Sequence, residues 1–154
     1  MKVKHAKIIR RLGWIAFVIY LIFLIYFMFF AEGFGRVNSQ NREYSYNIVP
    51  FREIKRFIRY SNLLGGKAVL INLVGNVVGF MPIGFIPPII TKRCRSICFM
   101  TLLGLECSLL IEISQLIFKV GSFDVDDLIL NTLGAAAGYL VFAICNLLRR
   151  KYYG

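Results

Sequence analysis

The sequence predicts an all-α integral membrane protein, with four transmembrane helices and a short interfacial amphipathic helix in the first outer loop. Three observations carry this. Apolar residues make up 58% of the chain and the mean hydropathy is +0.66, whereas soluble domains hold about 45–50% apolar residues. The apolar residues fall into four runs, at 12–31, 68–90, 97–118 and 128–148, each near the roughly 20 residues that cross a bilayer as a helix. The nineteen Lys and Arg gather at the ends of these runs rather than on one face or in one block. All 154 residues read as a single membrane domain, with 32–67 as its only long connection.

Charge and composition exclude several classes of function. The net charge of +11 sets topology and meets anionic lipid headgroups, so no nucleic-acid partner is expected. Cys94, Cys98, Cys107 and Cys145 form no CxxC pair and read as small packing residues rather than a disulfide framework. His5 is the only histidine and lies in a basic tail. A His-based metal site, or a Ser-His or Cys-His nucleophile system, has no components. No cofactor and no bound metal are expected.

Taken in order, Lys2, Lys4, Lys7, Arg10 and Arg11 precede the first apolar run. That run is too long for a signal-peptide core and its exit, 29–33, is a weak cleavage site, so it reads as a first span. The outer loop begins with polar residues including Gly33, Gly35, Asn38 and Ser39, then leads through 47–51 (AsnIleValProPhe) into a basic segment over 52–60. There Phe51, Ile54, Phe57 and Ile58 share one side, and Arg52, Lys55, Arg56 and Arg59 take the rest, as suits a helix in the headgroup region. In the second span Asn72, Asn76 and Gly79 form a polar and small stripe. Pro82, Gly84, Pro87 and Pro88 then interrupt the helix, so that 79–88 packs inward or becomes irregular near the surface. Lys92, Arg93 and Arg95 make a basic turn, 119–127 an acidic one, and Arg149, Arg150 and Lys151 follow the fourth span. With both termini in the cytoplasm, eleven cations lie inside and eight outside, in keeping with the positive-inside rule.

The most informative stretch is 101–138, which carries five of the eight carboxylates although most of it is transmembrane. A charge at a helix centre costs about 2.5–3.5 kcal/mol. Glu106 and Glu112 together therefore offset the gain from the twelve Leu, Ile and Phe of the third span, about 4–7 kcal/mol. Thr101, Gly104, Ser108, Glu112 and Gln115 recur at steps of three and four and form one narrow stripe. Asp127, Asn131, Gly134 and Gly138 do the same on the fourth span. The simplest expectation is that these stripes face each other across a close helix contact, with Asp126 or Asp127 capping the fourth helix. Glu106 lies on roughly the opposite side of its helix from Ser108. Asn72, Asn76, Glu112, Gln115, Asp124, Asp127 and Asn131 then converge on the outer side, where Asn47, Arg52 and Arg56 can cover them. These ten are the candidate binding residues.

Four pieces of the chain in this order, 47–51 (AsnIleValProPhe), 76–85 (AsnValValGlyPheMetProIleGlyPhe), 112–115 (GluIleSerGln) and 124–134 (AspValAspAspLeuIleLeuAsnThrLeuGly), with Gly138, resemble the VanZ-like family of small bacterial membrane proteins. The resemblance covers about residues 44–140. It implies a multi-pass protein of the bacterial cell membrane whose founding member is associated with low-level resistance to the lipoglycopeptide teicoplanin. One position departs from the family pattern: where many members place an Arg just before the acidic turn, this chain has Gly121 and Ser122, and its nearest cation is Lys119. A phosphotransbutyrylase activity is not expected, because the chain has no soluble acyl-CoA domain and no Gly-rich phosphate loop.

Two classes of function follow. In the first the protein is not an enzyme: the cluster and the basic helix bind or shield a membrane lipid, a lipid-linked cell-wall precursor or a lipoglycopeptide, with arginines on phosphates and Asn and Gln on sugar or peptide groups. In the alternative it is a membrane-surface enzyme in which Glu112 pairs with Asp127 or Asp124 as acid and base on a lipid-linked substrate, alone or with a divalent cation. Glu106 is the one hint of a proton- or ion-coupled function.

Overall fold

The computed structural model describes residues 2–30, 44–60 and 66–153. The polar start of the predicted outer loop, with Gly33, Gly35, Asn38 and Ser39, lies outside the described residues. In chain order the elements are α1 (Lys2–Phe30), β1 (Tyr46–Asn47), α2 (Arg52–Arg59), α3 (Gly66–Ile90), a 3-10 turn (Lys92–Cys94), α4 (Ile97–Ile117), β2 (Phe123–Asp124) and α5 (Val125–Tyr153). Four segments, Lys7–Phe29, Asn72–Ile90, Ile97–Ile117 and Val125–Tyr152, are long and apolar enough to cross a membrane. The chain is an all-α, four-span membrane protein with the short α2 between its first and second spans. At 29 residues each, α1 and α5 reach about 44 Å and overrun a hydrocarbon core of about 30 Å.

α5 is the centre of the bundle. It packs most extensively on α3 and next on α4, while α1 lies against α3. Leu24, Phe80, Ile83 and Ala135 form the buried core. The α3–α5 contact is close because glycines line it. A Cβ added at Gly134 or Gly138 would collide with the carbonyl oxygens of Val77 and Met81, and one added at Gly84 with that of Ala135. This corrects the expectation of two stripes facing each other. Gly104 and Ser108 of α4 do meet α5, at Ala135 and Asn131. Asp127, Gly134 and Gly138 turn instead to α3. A helix with a neighbour on each side divides its small and polar residues between them.

The proline-rich stretch packs inward, as one of its two expected outcomes had it, but the expected interruption is absent: α3 runs unbroken through Pro82, Pro87 and Pro88 to Ile90. A proline in a helix interior costs about 3 kcal/mol, but Phe80, Ile83, Gly84, Pro87 and Pro88 are all buried, so this segment has packed protein around it. Carbonyls in the segment gain outside donors. The Tyr20 hydroxyl donates to Gly79 O at 2.7 Å, and Arg95 Nε donates to Pro88 O at 3.0 Å. The same guanidinium lies 5.6 Å from the Phe142 ring centre, tying the end of α3 to α5. Ser96 begins α4 by accepting from Phe99 N–H.

The glycine contact makes a direct prediction. Gly138→Val should destabilise the protein in detergent by about 1–3 kcal/mol or more. Gly75→Ala, where an added Cβ meets nothing within 4 Å, should be neutral or stabilise by up to about 1 kcal/mol. Thermal unfolding midpoints of the two variants in the same detergent provide the check.

Candidate functional site

The site is assembled where α4 ends and α5 begins. α4 stops with Lys119 in the left-handed region at φ 52°. Lys119 N donates to Leu116 O at 3.2 Å and Val120 N to Gln115 O at 3.1 Å, a C-terminal pair of bonds that satisfies the last carbonyls and reverses the chain. The returning segment pairs in parallel with the outer loop, Tyr46 opposite Phe123 and Asn47 opposite Asp124. This short pairing holds the loop down onto the acidic turn.

Each acidic residue of the turn then has a separate task. Asp124 caps α5: its Oδ1 accepts from Asp126 N–H at 2.8 Å and from the Asn47 amide at 3.0 Å. The cap expected at Asp126 or Asp127 is therefore corrected to Asp124, the residue before the helix begins at Val125, and Asp126 is occupied elsewhere. Asp126, 1% exposed, reaches across to α2, where its carboxylate accepts from the backbone N–H groups of Phe51, of Glu53 at 2.7 Å and of Ile54 at 3.0 Å. α2 has no side-chain cap of its own, and Phe51 at its start sits at φ 63°. A carboxylate at those free N–H groups satisfies them and complements the helix dipole. Asp127 accepts from the Asn76 amide of α3. Glu112, from α4, accepts from Asp124 N–H at 2.8 Å.

Between these groups lies a cavity of about 900 Å³, near the upper end of ligand-site volumes. Tyr20, Phe23, Leu24 and Phe27 of α1, with Leu73 of α3, form its apolar wall. Asn72, Asn76, Glu112, Gln115, Asp124, Asp127 and Asn131 all border it, and Glu53, Ile54, Arg56 and Phe57 of α2 lie over it. Asn47 and Arg52 border a second, smaller cavity of about 290 Å³, which shares Glu53, Arg56 and Asp124 with the first. The fold thus brings seven of the ten candidates to one cavity, places Arg56 on both, and leaves Asn47 and Arg52 at the adjoining one. Arg59 and Glu106 border neither, and Glu106 is exposed on the side of α4 away from its buried stripe.

Several of these side chains also hold the bundle together. Gln115 Nε2 donates to Met28 O at 2.7 Å, joining α4 to α1. Asn131 Nδ2 donates to Ser108 Oγ at 2.9 Å, joining α5 to α4, while Asn131 Oδ1 is buried with no hydrogen-bond partner. Burial pushes the Asp124 carboxyl up from its ordinary pKa, and the charge of Asp126 adds to the rise; the Asp126 N–H, the Asn47 amide and Arg56 act against it. Arg56 is ion-paired to Glu53 at 2.9 Å. It is the arginine near the acidic turn in this chain, supplied by α2 rather than from the positions of Gly121 and Ser122. Among the described residues no group of three or more His, Cys, Asp or Glu is arranged to hold a metal ion.

The residue that sequence reasoning passed over is Asp126, assigned there only to its own helix. A signal was present: the ValPro-Phe entry to α2 offers no Ser, Thr, Asp or Asn before Arg52, so that helix start needs an acceptor from elsewhere. Which acidic residue supplies it depends on β1 and β2 pairing across 77 positions.

A sequence model of the family described as VanZ/LLP1 matches residues 17–146. No curated protein and no solved structure matches the chain.

Two predictions follow from the acidic turn. Asp126→Ala should free α2, at a cost of about 1–3 kcal/mol for the unmet N–H groups, seen as faster hydrogen exchange at Glu53 and Ile54 with the spans still protected. For Asp124 the folded pKa lies above the unfolded value of 3.8, so the folded chain holds this proton where the unfolded chain has lost it. The stability it contributes is full below the unfolded value and is lost as pH rises through the raised folded one. Asp124→Asn should therefore flatten the fall in unfolding midpoint as pH rises above 3.8, measured against the parent in the same detergent.

Proposed function

The chain belongs to the VanZ/LLP1 family, and from that premise we propose that it binds or shields a lipid or lipid-linked cell-wall component at the outer face of the bacterial membrane. The consequence is low-level resistance to lipoglycopeptides such as teicoplanin. The observation that carries this is the two-sided cavity, with aromatic and aliphatic side chains of α1 and α3 along one wall and amides and carboxylates at its base. An amphiphile with an apolar chain and a polar head matches both halves; a small polar metabolite matches only one. Two residues of the α1 wall, Phe23 and Phe27, are also exposed on the outside of the bundle, so a chain in the bilayer has a route into the cavity beside that helix. The excess of cations at the opposite ends of the spans, eleven against eight, supports an outward-facing site with both termini in the cytoplasm. Arg52 and Arg56 stand at the rim, where lipid phosphates lie.

The enzymatic alternative needs Glu112 and Asp127 or Asp124 to act on a substrate as acid and base. Glu112 and Asp124 are linked to each other through the Asp124 N–H, and Asp124 also caps α5. Those tasks favour binding over proton transfer.

Teicoplanin susceptibility of a sensitive Gram-positive host, expressing the parent or Glu112→Gln/Asp127→Asn at matched membrane levels, tests the proposal. Protection by the parent that the double variant loses is the expected result. No protection by either removes the resistance role, and equal protection by both removes the carboxylates from it.

A further inference from the structure

In the middle of the third span one acidic side chain faces away from the bundle. Glu106 is the tenth of the 21 residues of α4 and is exposed. At 1.5 Å of rise per residue it stands about 14–16 Å from either end of the helix, farther than a Glu side chain reaches toward the headgroups. Ionisable residues at that depth are costly and are found against protein or water rather than lipid. Among the described residues none forms an ion pair or a hydrogen bond with Glu106. A second observation concerns its neighbours on the same face. Phe99, Leu102, Glu106, Leu109 and Ile113 follow one another at steps of three, four, three and four. That is the spacing of a seam along which two helices cross at a shallow angle. All five residues are exposed, whereas the buried stripe of α4 from Met100 to Gln115 is already used against the rest of the bundle. The seam is complete and carries one polar residue at its centre, the device that fixes register and partner in paired helices.

We propose that this face of α4 is covered by a second copy of the chain, in a dimer whose two-fold axis runs along the membrane normal and passes beside Glu106. The assignment goes beyond the lipid-binding reading and does not rest on it. Two copies inserted with the same topology place their Glu106 side chains at the same depth. A two-fold contact brings a surface against itself, so its central residue must complement its own copy. A carboxyl group in its acid form does this, since it carries one O–H donor and keeps acceptor capacity. Two such groups satisfy each other. A contact between the seam and a different face of the second copy lacks that partner. Among the described residues, the exposed charged and amide side chains of the other spans, such as Arg10, Arg11, Asn72 and Arg149, lie toward the span ends. Lipid on the seam leaves Glu106 unmet altogether. Because apolar faces gain little by meeting each other in a bilayer, the polar pair and the close fit of the seam are what favour association over dispersal.

The test places the full chain, fused at its N-terminus to a donor or an acceptor fluorescent protein, in phosphatidylcholine vesicles and follows energy transfer between copies as lipid is added. Transfer in the parent should be linear in the acceptor fraction, as a dimer requires, and should persist on dilution beyond that of an unrelated monomeric span. Glu106→Leu should raise the protein-to-lipid ratio needed for half-association by about tenfold. Glu106→Gln keeps a donor and an acceptor and should stay within about threefold of the parent. Leu109→Ala/Ile113→Ala, which opens the seam without touching Glu106, should also weaken association, and Leu140→Ala, on an exposed part of α5, should not. Unfolding midpoints in detergent identify any variant that has lost its fold, and the seam variant serves where the leucine variant has. No transfer above the monomeric span overturns the dimer, and a curved dependence on acceptor fraction overturns its two-fold symmetry. Association indifferent to Glu106→Leu, or lost equally in Glu106→Gln, overturns the role of the paired carboxyls. A loss in Leu140→Ala that matches the seam variant overturns the placement on α4.

Discussion

Where α3 and α5 cross, backbone approaches backbone, and the rest of the molecule depends on that contact. Gly84 sits against the Ala135 carbonyl, and Gly134 and Gly138 against those of Val77 and Met81. Between spans surrounded by lipid, apolar burial offers little preference for one neighbour over another, so close van der Waals approach and a few polar bonds determine which helices pair. Once α3 and α5 are joined along these glycines, Asn76 meets Asp127 at one end and Arg95 bridges Pro88 and Phe142 at the other. α4 then takes the remaining side of α5 through Gly104, Ser108 and Glu112.

The same contact explains how a helix with three internal prolines survives. In water such a segment would fray; here it is the most enclosed part of the bundle, with Phe80 and Ile83 almost fully buried. The packed neighbours make the lost internal bonds tolerable, and side chains from outside the helix add bonds to other carbonyls of the segment, Tyr20 to Gly79 and Arg95 to Pro88. Tyr20 has a second consequence. Together with the Gln115 bond to Met28 O, it ties α1, the span with the smallest buried share, to the bundle beside the cavity.

At the acidic end the polar groups form a relay that reaches from α4 to the outer loop. Glu112 holds the backbone of Asp124, Asp124 holds Asn47 and the start of α5, and Asp126 holds the start of α2. The position of α2 over the cavity is therefore fixed by α4 and α5 and not by its own hydrophobic face, of which only Ile54 and Phe57 are half-buried while Phe51 and Ile58 remain exposed. Residues that look like a ligand site from their chemistry are in large part structural, and the atom that stands apart is Asn131 Oδ1.

The sequence by itself determined the class of fold and much of the cluster. Four apolar runs bounded by cations admit few structures other than four spans, because the bilayer demands internal satisfaction of every backbone bond. Steps of three and four placed Gly104, Ser108, Glu112 and Gln115 on one face of α4, and those residues are its buried stripe. Periodicity reports which residues share a face; it does not report which neighbour that face meets. That is why α5 dividing its small residues between α3 and α4, α3 continuing through its prolines, and Asp126 capping α2 rather than its own helix were left to the tertiary structure. Each depends on contacts between segments tens of residues apart, such as the 73 positions between Glu53 and Asp126, and no local pattern encodes the distance across which such a bond closes.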